Sequence, residues 1–384
     1  MDAVLTRLQE KYGVDRKVEV DSISEPVIWA KDPQDAKYLV KAFMIDLNSK
    51  INFLSDVTAY ENLDKVDGDK RFVLVYQLYS TESFVRIRIK TSLELNEEAQ
   101  TISDIFSGAN WLEREVYDMF GIKFKGHPNL RRIMMDERFT GHPLRKEYPM
   151  KQREPFANNI ALNLGASEMT QKEERTNLND LYNPNVLLNL GPAHPATHGT
   201  LRVMCRANGE VIEDAACEIG YLHRAIEKLG EEKTYHQWMV YTDRLNYCSA
   251  LNNNVTYAMA VENILGIQIT DRCMWIRMIC MELSRIIDHL VCLAANIMDC
   301  GGLTVFFLLM HWREEAYTMI ESMCGMRLTT SYARIGGMSY DLPDNFEARL
   351  KKFCEDFPKA IDEMEQLVTH NRIWIDRTKN VGVI

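Results

Sequence analysis

The segment from residue 273 to residue 298 is the feature that most restricts how this chain can fold. It is largely apolar and long enough to cross a bilayer as a helix, yet Arg277, Glu282, Arg285 and Asp288 lie inside it. Each central charge costs about 2.5 to 3.5 kcal/mol on an insertion scale, whereas a Leu or Ile gains only about 0.5 kcal/mol. The charges outweigh the apolar residues, so we predict a long helix buried in a protein rather than a membrane span.

Polar and apolar residues follow separate faces of this predicted helix. The polar stripe consists of Glu282, Arg285, His289, Cys292, Asn296 and Asp299. The neighbouring apolar stripe consists of Leu283, Ile286, Ile287, Leu290, Ala294 and Ile297. Residues at steps of three and four share one face of a helix, so the apolar stripe is expected in the core. The polar stripe either meets solvent or lines a site.

The chain divides into an α+β half and a helical half. In the first half, helices are expected at 3–12, 33–47 and 99–106, and strands near Val18, near Val27 and at 53–60, 71–79 and 84–89. This alternation predicts an α+β sandwich of ferredoxin-like type. The histidine-containing turn described below lies between strands at 186–190 and 201–204, with a further strand at 210–217. The remaining helices are expected at 223–232, 245–265, 271–298, 303–324 and 345–370.

We predict domains at residues 1–150 and 185–384, joined by residues 151–184, which are polar and without a sustained period. Such a segment is a linker or wraps a partner. The net charge of −10 argues against a nucleic-acid groove. Nine cysteines, none in a CxxC pair, indicate reduced structural thiols rather than a metal site. The N-terminus lacks the apolar stretch of a signal peptide, so we expect a cytoplasmic protein.

Two histidines lie in the Gly/Pro-rich turn GPAHPATHG at residues 191–199, between two apolar segments. An imidazole changes charge near neutral pH, so one held rigidly in a pocket can pass protons. Either His194 and His198 satisfy the backbone of the turn, or one of them serves a site; we expect His194 to be the turn residue.

Charged residues in the first half are interpreted by their spacing. Glu113, Arg114, Glu115 and Asp118 are expected on a solvated helix face, with subunit docking as the alternative. The basic residues Arg131, Arg132, Arg145 and Lys146 are expected to bind acidic partner surfaces. In the second half, Arg224, Glu227, Lys228 and Glu231 recur at three and four residues, which predicts ion pairs along a helix.

Several long motifs together resemble a known family. The stretch EREVYDMFGIKFKGHPNLRRIM at 113–134 and GHPLRKEYP at 141–149 are similar to the C subunit of respiratory complex I. The stretches GPAHPATHG, GYLHRAIEKLGEEK at 220–233 and YTDRLNY at 241–247 resemble its D subunit. Their order resembles the fused C/D subunit of bacterial NADH-quinone oxidoreductases. The resemblance implies a C-type α/β sandwich, then a D-type helical domain like nickel-iron hydrogenase large subunits. It also implies that the C-terminal half of the D part is absent.

The resemblance implies a set of site residues for quinone reduction. His198 and Tyr247 take the positions that donate hydrogen bonds and protons to the quinone oxygens. Asp299, expected near a helix C-terminus where a carboxylate is disfavoured without a cation, takes the position that orients His198. Arg224 takes the position beside the terminal iron-sulfur cluster of a neighbouring subunit, where a fixed cation favours the reduced form.

The resemblance further implies partners and a location. The chain is expected to bind quinone as substrate and to hold no metal or other cofactor of its own, with FMN and iron-sulfur clusters in partner subunits. The expected partners are the B-type iron-sulfur subunit, the I-type ferredoxin-like subunit and the H-type membrane subunit. The implied place is the cytoplasmic side of the bacterial inner membrane, as a peripheral subunit. One departure is that Thr329 and Thr330 stand where many members carry a cluster-tuning histidine.

Two other function classes compete with quinone reduction. Nickel-iron hydrogenases resemble the D part, but Asn246 and Ser249 occupy the positions of their nickel-binding thiolates. Amide and hydroxyl groups do not replace thiolates as soft ligands, which argues against a hydrogenase. The other alternative is a non-catalytic scaffold that brings partners together.

Overall fold

The structure is a computed structural model, and it describes residues 2–13, 15–20, 25–46, 50–64, 70–136, 139–150, 185–194, 197 and 199–383. These residues form two compact units. The first contains the described residues of 1–192 and 199–228, and the second contains those of 193–198 and 229–384. The expected linker at 151–184 lies outside the described residues.

The first unit is α+β, as the sequence pattern predicted. Its helices are α1 (Asp2–Tyr12), α2 (Pro33–Ile45) and α3 (Ala109–Phe120). Its first seven strands are β1 (Val18–Val20), β2 (Pro26–Trp29), β3 (Phe53–Glu61), β4 (Phe72–Tyr79), β5 (Arg86–Leu93), β6 (Ala99–Gln100) and β7 (Phe124–Lys125). The alternation of buried and half-buried residues along β5 is the pattern of a strand with one face in the core.

The main sheet has five strands in the order β1-β2-β5-β4-β3. β2 and β5 are parallel, while β3, β4 and β5 pair antiparallel with their sequence neighbours. This order differs from the expected ferredoxin-like one. That arrangement needs a second helix between the third and fourth strands of its repeat, whereas β4 and β5 are joined by the short turn at residues 80–85. β5 therefore pairs with β4 and lies between β4 and β2.

The helix expected at 99–106 is wrong, and the reason is a tertiary contact. Ala99 and Gln100 instead pair with Phe124 and Lys125 as the parallel strands β6 and β7. The turn that follows is held by Glu113 of α3, whose carboxylate accepts hydrogen bonds from Thr101 Oγ1 at 2.6 Å and Ile102 N at 2.7 Å. The helical periodicity of this stretch was outweighed by these bonds.

The charged residues of α3 do not form the expected solvated face. Glu113 and Asp118 are both 0% exposed. Asp118 accepts from the backbone N–H groups of Ile133, Met134 and Met135 at 2.8 to 3.0 Å, and from Arg132 Nη1 at 2.6 Å. The two carboxylates thus accept hydrogen bonds from buried backbone N–H groups that have no helix or strand partner.

Two of the basic residues expected to face a partner are used within this unit. Arg132 pairs with Asp118, as described above. Arg145 Nε donates to the carbonyl oxygen of Phe120, which lies at the C-terminus of α3, at 2.6 Å. The cation donates to a carbonyl that lacks a helical partner, and its charge interacts favourably with the negative end of the helix dipole.

A second sheet of the first unit has the order β10-β9-β8. Its strands are β8 (Asn185–Leu190), β9 (Arg202–Asn208) and β10 (Val211–Glu218). Both pairs are antiparallel. The strands expected on either side of the histidine turn, and the one after it, are confirmed.

The chain after residue 225 is mainly helical. Its helices are α4 (Ile226–Glu232), α5 (Tyr235–Thr242), a 3₁₀ helix (Tyr247–Ser249), α6 (Ala250–Leu265), α7 (Asp271–Asp299), α8 (Leu303–Cys324), α9 (Phe346–Val368) and α10 (Arg372–Thr378). A small hairpin of β11 (Ala333–Arg334) and β12 (Gly337–Met338) interrupts them. The limits of α7, α8 and α9 were predicted to within two residues, whereas α6 begins five residues after the expected residue 245 because the 3₁₀ helix precedes it. α5, α10 and the hairpin were not predicted.

The two stripes of the long helix α7 are confirmed. Leu283, Ile287, Leu290 and Ala294 are buried, and they pack against α8 and α9 in the core of the second unit. All six residues of the polar stripe are exposed. No helix within the described ranges is both long and apolar enough to cross a membrane.

Candidate functional site

Tyr247 begins the 3₁₀ helix between α5 and α6, and the turn that holds it is fixed by its neighbours. The Asn246 side-chain amide donates to Ser249 Oγ at 2.7 Å and to Asp288 Oδ2 at 3.0 Å. The backbone carbonyl of Asn246 accepts from Asn253 Nδ2 at 3.0 Å. The Tyr247 side chain is half-buried. Burial, with a smaller effect of Cys248, raises the pKa of the phenol, so it stays protonated and able to donate.

Asn246 and Ser249 are the two positions where hydrogenases carry nickel ligands. Their side chains do lie together, but they hydrogen-bond to each other. Neither group is a thiolate, so the described turn offers no soft ligand pair for nickel. In the part of the chain that the structure describes, no three His, Cys, Asp or Glu side chains are arranged to hold a metal ion. All nine cysteines are free thiols.

A polar cluster beside Tyr247 was missed by the sequence reasoning. Cys248 is buried, and burial first, then the charge of Asp288, raise the pKa of its thiol, while Arg313 opposes them. Arg313 lies with its guanidinium 4.6 Å from the centre of the Tyr317 ring and donates to the Tyr317 hydroxyl at 2.6 Å. Arg313 and Tyr317 are four residues apart on α8, a spacing that is also ordinary for a solvated helix pair. Only the tertiary structure brings this pair near enough to Cys248 for their charges to interact.

Asp299 is the last residue of α7 and is exposed, which confirms its predicted position at a helix C-terminus. A cation is present at this helix end, because Arg377 Nη1 donates to the carbonyl oxygen of Cys300 at 2.7 Å. The same region borders a cavity of about 270 Å³, lined by residues that include Gly302, Val368 and Trp374. Asp299 lies eleven residues beyond Asp288, which corresponds to about 16 Å along the helix axis.

The predicted site residue His198 lies outside the described residues. Of the same turn, His194 is half-buried, and its carbonyl oxygen accepts from Thr197 N at 3.1 Å and Thr197 Oγ1 at 3.0 Å. These bonds close the turn through the backbone of His194, and the role expected for its imidazole stays a prediction.

Arg224 belongs to the first unit, and it precedes a helix rather than lying on one. The helix expected from residue 223 begins only at Ile226, because Ala225 has a φ of +51°, in the left-handed region that a helix cannot contain. Lys228 on α4 is 7% exposed, and its Nζ donates to the carbonyl oxygen of Arg145 at 2.9 Å. The lysine of this motif therefore contacts the motif GHPLRKEYP, a contact that the spacing along the helix did not predict.

The two threonines in place of a cluster-tuning histidine differ in their surroundings. Thr330 is buried, and Thr329 is half-buried with a φ of +53°. A β-branched residue in the left-handed region is a true conformational outlier. The chain therefore holds strain directly before the hairpin of β11 and β12.

Two families match this chain. The family described as "Respiratory-chain NADH dehydrogenase, 30 Kd subunit" matches residues 30–154. The family described as "Respiratory-chain NADH dehydrogenase, 49 Kd subunit" matches residues 299–384.

Curated relatives match the chain across both regions. The fused C/D subunit of NADH-quinone oxidoreductase from Bdellovibrio bacteriovorus is 43% identical over 334 residues, covering 87% of this chain and 58% of the relative. The corresponding C/D subunits from Acinetobacter baylyi and Acidiphilium cryptum are 35% and 37% identical, covering 99% and 93% of this chain. The chain spans 65% and 62% of those two relatives, so it corresponds to somewhat under two thirds of their length.

These matches define a class of chain that joins a 30 kDa-type and a 49 kDa-type sequence of respiratory NADH dehydrogenase. The chain belongs to the family of fused C/D subunits of NADH-quinone oxidoreductase. The resemblance drawn from the motifs is confirmed.

Proposed function

We propose that this chain is a subunit of a NADH-quinone oxidoreductase and forms one wall of its quinone-reduction site. In this proposal residues 1–150 act as the C-type part and residues 185–384 as the D-type part. The proposal is supported by relatives that bear the fused-subunit name across both parts of the chain. It is supported locally by a half-buried, protonated phenol in a turn that hydrogen bonds hold in place.

The chemistry assigned to the site is hydrogen bonding and proton delivery to a quinone that receives two electrons. The oxygens of the ring become strongly basic as electrons arrive, so donors aimed at them stabilise the charge and then supply protons. Tyr247 and His198 are the proposed donors. Their reference pKa values, near 10 and 6.5, allow donation to a reduced ring but not to the neutral oxidised one. Asp299 is proposed to orient His198.

Arg224 is proposed to face an iron-sulfur cluster that a B-type partner subunit holds. It is exposed in this chain, and the kinked backbone at Ala225 separates it from α4. A guanidinium is always charged and presents several donors, so it suits a group whose negative charge grows on reduction. The cluster supplies the electrons in this proposal, and the residues of this chain supply charge and protons.

The remaining partners and the location are proposed on the same basis. They are an I-type ferredoxin-like subunit and an H-type membrane subunit, with the chain in the peripheral arm on the cytoplasmic side of the bacterial inner membrane. FMN and the iron-sulfur clusters are assigned to other subunits.

The observation that carries the proposal is the position of Tyr247 in a turn fixed by Asn246, Ser249 and Asp288. The test is Tyr247→Phe, and separately His198→Phe, in the assembled enzyme. We expect quinone reduction to fall by about a hundredfold for the loss of a general acid, while electron transfer from NADH to ferricyanide, which does not need the quinone site, remains. Equal loss of both activities would instead support the scaffold alternative. Unchanged quinone reduction in both variants would overturn the proposal.

A further inference from the structure

We propose that Asp288 is a positioning residue for Tyr247, acting through the side-chain amide of Asn246. This inference rests on the proposed function, because it concerns the placement of the proposed proton donor. Asp288 lies on α7, and neither it nor Asn246 is among the residues proposed above to act on the quinone or to orient a proton donor.

Both hydrogens of the Asn246 side-chain amide have an acceptor, although the side chain itself is exposed. The amide nitrogen carries two hydrogens, and the structure uses both, one toward Ser249 Oγ at 2.7 Å and the other toward Asp288 Oδ2 at 3.0 Å. The two acceptors also determine which end of the amide is the nitrogen, since a carboxylate only accepts. The backbone carbonyl of the same residue is held by Asn253 Nδ2.

Tyr247 lies inside the loop that these bonds close. The side chains of residues 246 and 249 bond to each other, so the backbone between them, including Tyr247, is constrained at both ends. A turn closed on itself is rigid, but its own bonds do not determine its position relative to the rest of the unit. The bond from Asn246 to Asp288 supplies that second constraint.

Asp288 is suited to hold this turn because its own backbone is fixed by the core. Its neighbour Ile287 is 1% exposed, and Leu283 and Leu290 on the same helix are 2% exposed. A bond from an amide to a carboxylate is stronger than one between neutral groups. Cys248 is close enough for the charge of Asp288 to raise the pKa of its thiol, in line with a carboxylate that faces the turn.

For the reaction, the bond to Asp288 would determine how precisely the Tyr247 hydroxyl is placed toward the quinone oxygen. Proton donors act over hydrogen-bond distances, and a misplacement of about 1 Å can cost about a hundredfold in rate. A turn released from α7 would retain Tyr247 but present its hydroxyl less precisely. The expected signature is a loss confined to the quinone reaction.

The test is a double-mutant cycle in the assembled enzyme. Asn246→Asp places two carboxylates against each other, so we expect kcat/KM for quinone to fall about tenfold to a hundredfold. Asp288→Asn leaves an amide oxygen that still accepts, so we expect a change within about threefold. The double variant restores the pair with donor and acceptor exchanged, because the new carboxylate at position 246 accepts from the new amide at position 288. We expect it to recover to within about threefold of the parent enzyme.

NADH-to-ferricyanide activity is the second readout, and it should stay unchanged through the cycle. Glu282→Gln, which alters an exposed carboxylate of α7 paired with Arg285 at 3.1 Å, is the matched control and should change neither activity. If Asn246→Asp fails to assemble, Asn246→Ala takes its place, because it removes the amide without adding a charge. Its partner in this second cycle is Asp288→Leu. Asn246→Ala also loses the bond to Ser249, so it should lose at least as much activity as Asp288→Leu, and the double variant should lose no more than Asn246→Ala alone.

Additive losses in the cycle, or equal loss of both activities, would overturn the inference. The outcome is distinguishable from failure of the proposed function. If Tyr247→Phe impairs quinone reduction while the cycle shows no coupling, only the role of Asp288 is wrong. If Tyr247→Phe and His198→Phe both leave quinone reduction unchanged, the proposed function itself fails.

Discussion

Lys228 Nζ lies 2.9 Å from the carbonyl oxygen of Arg145, although the two residues are 83 positions apart in the chain. This contact joins the segment that carries Arg224 to the last motif of the C-type region. A second contact supports it, since Gly220 lies against the carbonyl of Met134, which Asp118 holds through its backbone N–H. The D-type segment before residue 229 is therefore built onto the first unit of the structure.

Replacing the buried lysine should loosen this attachment. We expect Lys228→Met to lower the free energy of unfolding of the first unit by about 1–3 kcal/mol, because the carbonyl of Arg145 is left without this donor. Urea unfolding followed by circular dichroism measures it. Lys233→Met, at an exposed lysine five residues on, is the control and should change stability by less than about 0.5 kcal/mol. Equal midpoints for the two variants would contradict the prediction.

Gly220 should not tolerate even a methyl group. Its φ is +99°, and a Cβ would lie 2.5 Å from the carbonyl oxygen of Met134. Gly209 has a φ of +63° with nothing within 4 Å of a Cβ, so it carries the backbone strain without the clash. We expect Gly209→Ala to cost about 1–2 kcal/mol and Gly220→Ala clearly more, as measured by thermal unfolding. Similar losses of stability in the two variants would contradict the prediction, because the chain near Met134 would then move away from the added methyl group at little cost.

The stability of the first unit should fall as the pH rises toward neutrality. Burial raises the pKa of Glu113 from 4.5 to about 7, against the hydrogen bonds from Ile102 and Thr101. Burial lowers the pKa of the nearby His127, so near pH 7 that imidazole is neutral and provides no opposing charge. The folded state therefore binds the proton more tightly than the unfolded state. The contribution of Glu113 is full below about pH 4.5 and is lost through about pH 7, by about 3 kcal/mol.

Unfolding measured between pH 5 and pH 8 tests this. Glu113→Gln should remove most of the slope, because the amide keeps an acceptor for Ile102 N and a donor for Thr101. Glu98→Gln, at an exposed carboxylate of the same unit, is the control and should keep the slope. If the stability of Glu113→Gln depends on pH as that of the parent protein does, the prediction is wrong and another group causes the dependence.

The pair of Glu262 and Arg277 should be the most costly ion pair of the second unit to break. Two bonds of 2.6 and 2.7 Å join the buried side chains. Glu262 also accepts from Gly336 N, and Arg277 donates to the carbonyl of Arg334, so the pair fixes the hairpin of β11 and β12. We expect Glu262→Gln to cost about 3–5 kcal/mol, because a buried guanidinium loses its counter-charge.

The exposed pair of Glu282 and Arg285 provides the comparison, and Glu282→Gln should cost less than about 1 kcal/mol. The pH dependence has a defined sign. Burial acts to raise the pKa of Glu262, but the hydrogen bonds from Arg277 and Gly336 outweigh it and lower the pKa overall. Its contribution is therefore present above the unfolded pKa and is lost as the pH falls through the folded one. Chemical unfolding at pH 7 and pH 3 measures both effects.

The helices of the second unit show how much of the fold can be predicted from local pattern. α8 has the limits expected from the sequence, and α7 differs by one residue at its C-terminus. Their apolar stripes recur for long enough that no alternative element could bury them. The hairpin at residues 333–338 was missed because its stability depends on Glu262 and Arg277, which lie far away in sequence.

The site residues also divide into those found from local pattern and those found only from tertiary contacts. Tyr247 and Asp299 were identified from motifs. The structure places Asp299 at the helix end that the sequence predicted, whereas Tyr247, expected within a helix over 245–265, lies in a 3₁₀ helix before α6. Asp288, Arg313 and Tyr317 carried no motif, because their relation to Tyr247 arises only when three separate elements pack together. His198 stays a prediction, since it lies outside the described residues.

The amino-acid sequence by itself determined the family, the α+β and helical halves, and which face of α7 enters the core, because these depend on motifs and on periodicity within one element. Only the tertiary structure decided that Glu113 and Asp118 are buried, that Lys228 contacts Arg145, and that Asp288 holds the turn of Tyr247. A charged side chain has the same local spacing whether it faces water or a buried partner. The difference lies in the donors that distant parts of the chain bring within hydrogen-bond distance.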